Sequence, residues 1–241
     1  MIEAVLFDGD QTLWDFERVM RDALVATAGE LRAARPGAFA DALTWKDLQA
    51  DRMAVAAAMP EVWSLAELRV HGFARTLARR RADEGGDEAA DEVLARALGE
   101  SYFTHRDRDP ALFPDTVPGL DALRGHYRLG LLSNGSRLPE TVGLAAYFEA
   151  VVFAQDHRVA KPDKGIFEVV QRELGVGPEV CVLVGDHPVN DVAGARGAGW
   201  HAVWIDRNGA TPFPGDGPEP DAVVTALTEL PDVLRRLRTP R

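Results

Sequence analysis

The chain has one cysteine in 241 residues, Cys181. One thiol cannot make an internal disulfide, and it cannot build a cysteine-rich zinc site. Basic residues are also scarce, with 27 Lys plus Arg against 38 Asp plus Glu and a formal net charge of −11. That balance argues against nucleic acid and against an anionic membrane surface, since both attract basic proteins. No apolar run approaches the ~20 residues that span a bilayer. The opening MIEAVLFDGD has a short apolar stretch with no basic flank. It does not read as a signal peptide, so a cytoplasmic location is expected. The six histidines are scattered singly. What remains is ordinary globular material, 46 % apolar and 27 % charged, enough to bury a sizeable core.

β-branched residues are unevenly spread. Residues 15–109 hold no isoleucine, six valines and four threonines; residues 110–225 hold sixteen valines, two isoleucines and four threonines. Because β-branched side chains favour strands, the first stretch is expected to be all helix and the second mixed. Phe16, Val19, Met20, Ala23, Leu24, Thr27 and Leu31 follow the spacing of one helix face, with a stop at Pro36-Gly37. Thr44 with Asp47, and Ser64 with Glu67, resemble capping boxes that start two further helices. A fourth helix is expected over about 87–103. The run Arg79-Arg80-Arg81 reads as a solvated helix face. Beyond residue 110, short apolar strands at 128–132, 151–154, 180–184, 202–205 and 222–224 alternate with helical patterns. One such pattern is Ile166, Phe167, Val169, Val170 and Leu174, stopped by Gly175. Such alternation indicates a parallel sheet covered on both faces. Residues 2–7 look like one more strand of that sheet, set ahead of the helical block. Residues 211–220 read as a surface loop.

Four segments stand at the C-terminal ends of expected strands, the edge where open α/β sheets bind ligands. Phe7-Asp8-Gly9-Asp10-Gln11-Thr12 places two carboxylates two residues apart; one can attack while the other manages protons. Leu131-Leu132-Ser133-Asn134-Gly135 can offer N–H and O–H donors to an anion, or form an ordinary capped turn. In Val159-Ala160-Lys161-Pro162-Asp163 a lysine is aimed by its neighbouring proline. Gly185-Asp186-His187-Pro188-Val189-Asn190-Asp191 carries two aspartates five apart, hard oxygen ligands of the kind that suit Mg²⁺. The glycine cluster of residues 194–199 has the wrong order for a dinucleotide site and reads as close helix packing and a helix stop.

In order, these segments resemble the haloacid dehalogenase-like hydrolase superfamily over nearly the whole chain. Asp8-x-Asp10-x-Thr12, Ser133, Lys161-Pro162 and Gly185-Asp186 with Asn190-Asp191 match its four motifs. Gln11 stands where many members have glycine, and Gly9 where a larger residue is common. The resemblance implies a doubly wound, Rossmann-like α/β core of residues 1–14 and 110–241, with an all-helical cap of residues 15–109 inserted after the first strand. It also implies a Mg²⁺-dependent phosphatase of a small phosphorylated metabolite. Asp8 would attack phosphorus and Asp10 would act as acid and then base. Thr12, Ser133, Asn134 and Lys161 would serve the phosphoryl group, with Thr12 orienting the loop through its hydroxyl. The metal would lie among Asp8, the backbone carbonyl of Asp10, and Asp186, while Asp191 supports it or orients Lys161. In dehalogenases of this superfamily the position of Asp10 is not an aspartate.

A sugar-phosphate mutase of the same superfamily is the near alternative, and a non-enzymatic phosphoacceptor the distant one. Arg18, Arg21 and Arg137 are read as surface residues before substrate contacts, Trp14 as packing, and Cys181 as a buried strand residue. A monomer or homodimer is expected.

Overall fold

Parallel strands form the centre of the structure because valine, leucine and alanine fill both of their faces. They are β1 (Ala4–Phe7), β2 (Arg128–Ser133), β3 (Ala150–Phe153), β4 (Cys181–Gly185), β5 (His201–Ile205) and β6 (Ala222–Val224). Their order is β3-β2-β1-β4-β5-β6, and every pair is parallel. β1 lies between β2 and β4, in register Phe7 with Leu131 and Phe7 with Val184. Every residue of β1 and β4 is buried. Strands buried on both faces need no alternation of polar and apolar residues. The computed structural model describes residues 1–36, 43–84, 87–207, 209, 212–213 and 217–237. Gly37, Arg80 and Arg81 side chains, and part of the loop expected over 211–220, lie outside what it describes.

The chain divides into two units, Met1–Asp15 with Pro110–Arg241, and Phe16–Asp109. In the first unit α7 (Lys164–Leu174) illustrates why the sheet is covered. Asp163 caps it by accepting the Gly165 N–H at 2.7 Å, Ile166, Phe167, Val169, Val170 and Leu174 are buried, and Gly175 ends it at φ +64°. Phe167 meets Trp200 edge to face at 5.2 Å, a packing geometry that aromatic rings favour. Gly194 lets this helix approach closely, since a Cβ there would lie 3.0 Å from the Phe167 ring. Two eight-residue helices of this unit, α5 (Thr116–Leu123) and α9 (Leu230–Leu237), have no counterpart in the sequence reading.

The second unit consists of α1 (Phe16–Ala34), α2 (Trp45–Ala58), α3 (Leu65–Glu84) and α4 (Glu88–Arg106). Its core gathers Leu24, Leu31, Leu48, Phe73, Leu77, Leu98 and Tyr102; each such side chain contributes about 1.5–3 kcal/mol on burial. Thr44 and Asp47 form the expected capping box, and the Ser64 hydroxyl accepts the Glu67 N–H at 3.2 Å. Arg79 lies half in solvent but bonds the buried carboxylate of Asp51 at 2.6 Å. Among the described residues no helix is long and apolar enough to cross a membrane.

Candidate active site

Asp8, Ser133 and Asp186 follow or end the adjacent strands β1, β2 and β4, so parallel register alone brings them to one edge. The loop after β1 is a tight turn. Leu13 N–H bonds Gly9 O at 2.9 Å and Gln11 N–H bonds Trp14 O at 2.8 Å. Gln11 has φ +60°, the left-handed region that favours glycine, which accounts for the glycine of other members at this point. The turn is tied down from the same unit: Phe113 N–H bonds Leu13 O at 3.1 Å, and the Thr116 hydroxyl bonds Leu13 O at 2.6 Å. Arg207 donates to Thr12 O and pairs with Asp115 at 2.6 Å.

Lys161 is the electrostatic centre. Its ammonium lies 2.6 Å from Asp8 Oδ1 and 2.6 Å from Asp191 Oδ1, and all three side chains are buried. Burial works against the Lys161 charge, but Asp191 and Asp8 outweigh it and raise its pKa. It is therefore a permanent cation. Burial pushes the Asp8 carboxyl up, Asp191 and Asp10 push it further, and Lys161 pulls against them. Asp186 is pushed up to about 6 by burial and by Asp191. Asp191 is fixed at its second oxygen by the His187 N–H at 2.9 Å. Gly185 makes room for it, since a Cβ there would stand 2.3 Å from Asp191 Cγ. His187 itself caps the following turn, its Nδ1 accepting from Val189 and Asn190 N–H groups at 3.2 and 3.1 Å.

Among the described residues, carboxylate oxygens of Asp8, Asp186 and Asp191 lie within 4.8 Å of one another. The donor set is all hard oxygen, and Asp8 and Asp186 are raised first by burial and then by neighbouring carboxylates, a buried negative charge that a divalent cation offsets. The residues therefore fit Mg²⁺. Asp191 already spends both oxygens on Lys161 and His187, which leaves Asp8 and Asp186 the freer ligands.

The other expected residues have these local partners. The Thr12 hydroxyl is buried and makes no hydrogen bond among the described residues, so the loop is held by the Thr12 carbonyl and Arg207 instead. The Asn134 side chain is engaged by the Lys161 backbone, donating to Lys161 O and accepting from Lys161 N–H, both at 2.9 Å. It positions the lysine segment. Ser133 Oγ accepts the Gly135 N–H at 3.0 Å. Arg137 is not a surface residue: it is 1 % exposed. Arg21 is exposed, and Arg18 is half-buried and pairs with Asp109 at 2.9 Å. Cys181 is buried, and burial pushes its thiol up to about 12. Trp14 is fully buried, in keeping with a packing role, and its indole N–H also reaches Asp10; Arg207, which ties the turn, carries no local signal in the sequence, while Gly9 is the one sign of room for a large indole.

This edge, with its paired aspartates, shielded lysine and acidic cluster, defines a class. The chain belongs to the haloacid dehalogenase-like hydrolases, whose family pattern matches residues 2–199. It is similar to a phosphoserine phosphatase of Thermus thermophilus, 40 % identical over 121 residues, which are 47 % of this chain and 47 % of that one. It is also similar to the human N-acylneuraminate-9-phosphatase, 36 % identical over 62 % of each chain. These alignments therefore span about half to under two thirds of the curated relatives. Among solved structures, a 2-haloacid dehalogenase from Pseudomonas syringae pv. Tomato DC3000 superposes with a TM-score of 0.82 at 30 % identity, over 98 % of this chain and 99 % of that one.

Proposed function

We propose that the protein is a Mg²⁺-dependent phosphatase of small phosphomonoesters that works through an aspartyl phosphate on Asp8, and that residues 15–109 are its cap domain. An oxygen of the Asp8 carboxylate attacks phosphorus and the P–O bond to the alcohol breaks. Asp10 gives its proton to the departing alkoxide. Asp10 then takes a proton from water, whose oxygen attacks the same phosphorus and releases phosphate with the Asp8 carboxylate restored. Lys161 holds Asp8 in place and offsets charge on the phosphoryl oxygens. Ser133 and nearby backbone N–H groups orient those oxygens. Mg²⁺ held by Asp8 and Asp186 would shield the substrate dianion from the surrounding carboxylates and stabilise charge in the transition state.

The observation that carries this reading is the second carboxylate, Asp10, set two residues from Asp8. Cleavage of a carbon–halogen bond releases halide, which takes up no proton, so a dehalogenase leaves the acid role of Asp10 without a task. The phosphatase names of the two relatives agree with that choice. A mutase would keep the phosphoenzyme through product release and would be stimulated by a bisphosphate. The test is phosphate release from a panel of phosphorylated metabolites with Mg²⁺ and with chelator, beside Asp8→Asn. Release that needs Mg²⁺ and vanishes in the variant is expected. Release that survives in Asp8→Asn overturns the reading.

A further inference from the structure

Asp10 does not stand in open space. Its Oδ1 accepts the indole N–H of Trp14 at 2.7 Å. Trp14 is fully buried, and its carbonyl and N–H are both bonded within the turn, to Gln11 N–H at 2.8 Å and to Gly9 O at 3.3 Å. The ring reaches Asp10 by lying across Gly9. A Cβ at residue 9 would stand 2.4 Å from Cζ2 and 2.8 Å from Cη2 of the indole. On the other side, the Asp10 Oδ2 lies over Gly135, where a Cβ would come within 2.6 Å of it and 3.2 Å of Ser133 Oγ. Two glycines thus make room, one for the indole and one for the carboxylate. The departure at Gly9 and the large residue five positions on are one device.

We propose that Trp14 is a positioning residue for Asp10, and that Gly9 is glycine so that the indole can reach it. The inference rests on the phosphatase reading above. A donor on Oδ1 fixes the plane of the carboxyl group and turns Oδ2 toward Gly135 and Ser133. Holding an acid in its productive orientation matters most when the leaving group needs the proton. An alkoxide needs it; para-nitrophenolate is a good leaving group without it.

The experiment compares kcat/KM for an alkyl phosphate and for para-nitrophenyl phosphate in wild type and Trp14→Phe, which keeps an aromatic ring but loses the N–H and the outer edge of the indole that lies over Gly9. The alkyl ester is expected to lose about 10- to 100-fold, part of the effect of a general acid, and the aryl ester less than about threefold. Gly9→Ala is expected to reproduce that selective loss in the wild-type background. It should add less than about twofold in Trp14→Phe, whose ring lacks the atoms the new methyl would strike. A structural role for Trp14 lowers both esters alike, and that result overturns the inference while the phosphatase reading stands. No hydrolysis of either ester by the wild-type protein overturns both. A readout independent of turnover is the Trp14 indole N–H resonance, one of five from tryptophan. It should move in Asp10→Ala with the other four in place; an unmoved resonance overturns the contact.

Discussion

Replacing Lys161 by methionine removes one buried charge from between two others. Lys161→Met keeps the stem and deletes the ammonium that Asp8 and Asp191 share at 2.6 Å each. The acidic cluster has oxygens within 4.8 Å of one another. Two unit charges at that distance repel by about 3–4 kcal/mol at an effective dielectric constant of ~20. Breaking a buried pair by removing one partner costs a similar ~3–5 kcal/mol. In chelator at pH 7.5 the variant is therefore expected to lose about 3–5 kcal/mol, read by urea unfolding. The pH dependence has a definite sign. Without the lysine nothing offsets the burial and the neighbouring carboxylates that already raise Asp8, so the penalty is absent at low pH and grows as pH rises through the folded value of that group. The deficit should shrink at pH 5, and Mg²⁺ at pH 7.5 should recover part of it. A loss under about 1 kcal/mol, or an equal loss at both pH values, refutes the reasoning.

Asp186 predicts a metal-linked stability. A shift from 3.8 to about 6 corresponds to up to about 3 kcal/mol. The metal-free protein should weaken by that order as pH rises from about 4 to 6, and stabilisation by Mg²⁺ should grow over the same window; thermal melts with Mg²⁺ and with chelator check this, and a Mg²⁺ effect equal at pH 4.5 and 7.5 contradicts it. Gly185→Ala drives a methyl into Asp191, and should cost about 1–3 kcal/mol and most of the activity, measured by unfolding and phosphate release; a stable, active variant would show that Asp191 can move freely. Cys181→Ala removes a thiol whose Sγ bonds only the Gly177 carbonyl, at 3.3 Å, among the described residues. It should cost about 1 kcal/mol and leave kcat unchanged, and a loss of kcat without loss of stability counts against a structural cysteine.

The sheet was legible because its strands are continuous valine- and leucine-rich runs, and because the helical stretch is poor in β-branched residues. α5 and α9 were not legible: eight residues hold about two turns, too few for periodicity, and α5 carries Pro118 and Gly119 within it. The candidate site residues Asp8, Asp10, Ser133, Lys161, Asp186 and Asp191 could be read from motifs at strand ends. Their partners could not. The pairing of Asn134 with the Lys161 backbone joins segments 27 residues apart, and nothing local marks it. Arg137 is buried by tertiary folding, against the ordinary exposure of arginine. The Trp14–Asp10 contact depends on the rotamers of both side chains and on the space left at Gly9, and spacing alone does not report those.

The central claim is that the Asp8 carboxylate takes the phosphoryl group, and rapid quenching with ³²P-labelled substrate tests it most directly. The account predicts acid-stable, alkali-labile label on the peptide containing Asp8, formed in wild type and absent from Asp8→Asn. Turnover in wild type with no label at any quench time, or label on another residue, would contradict it.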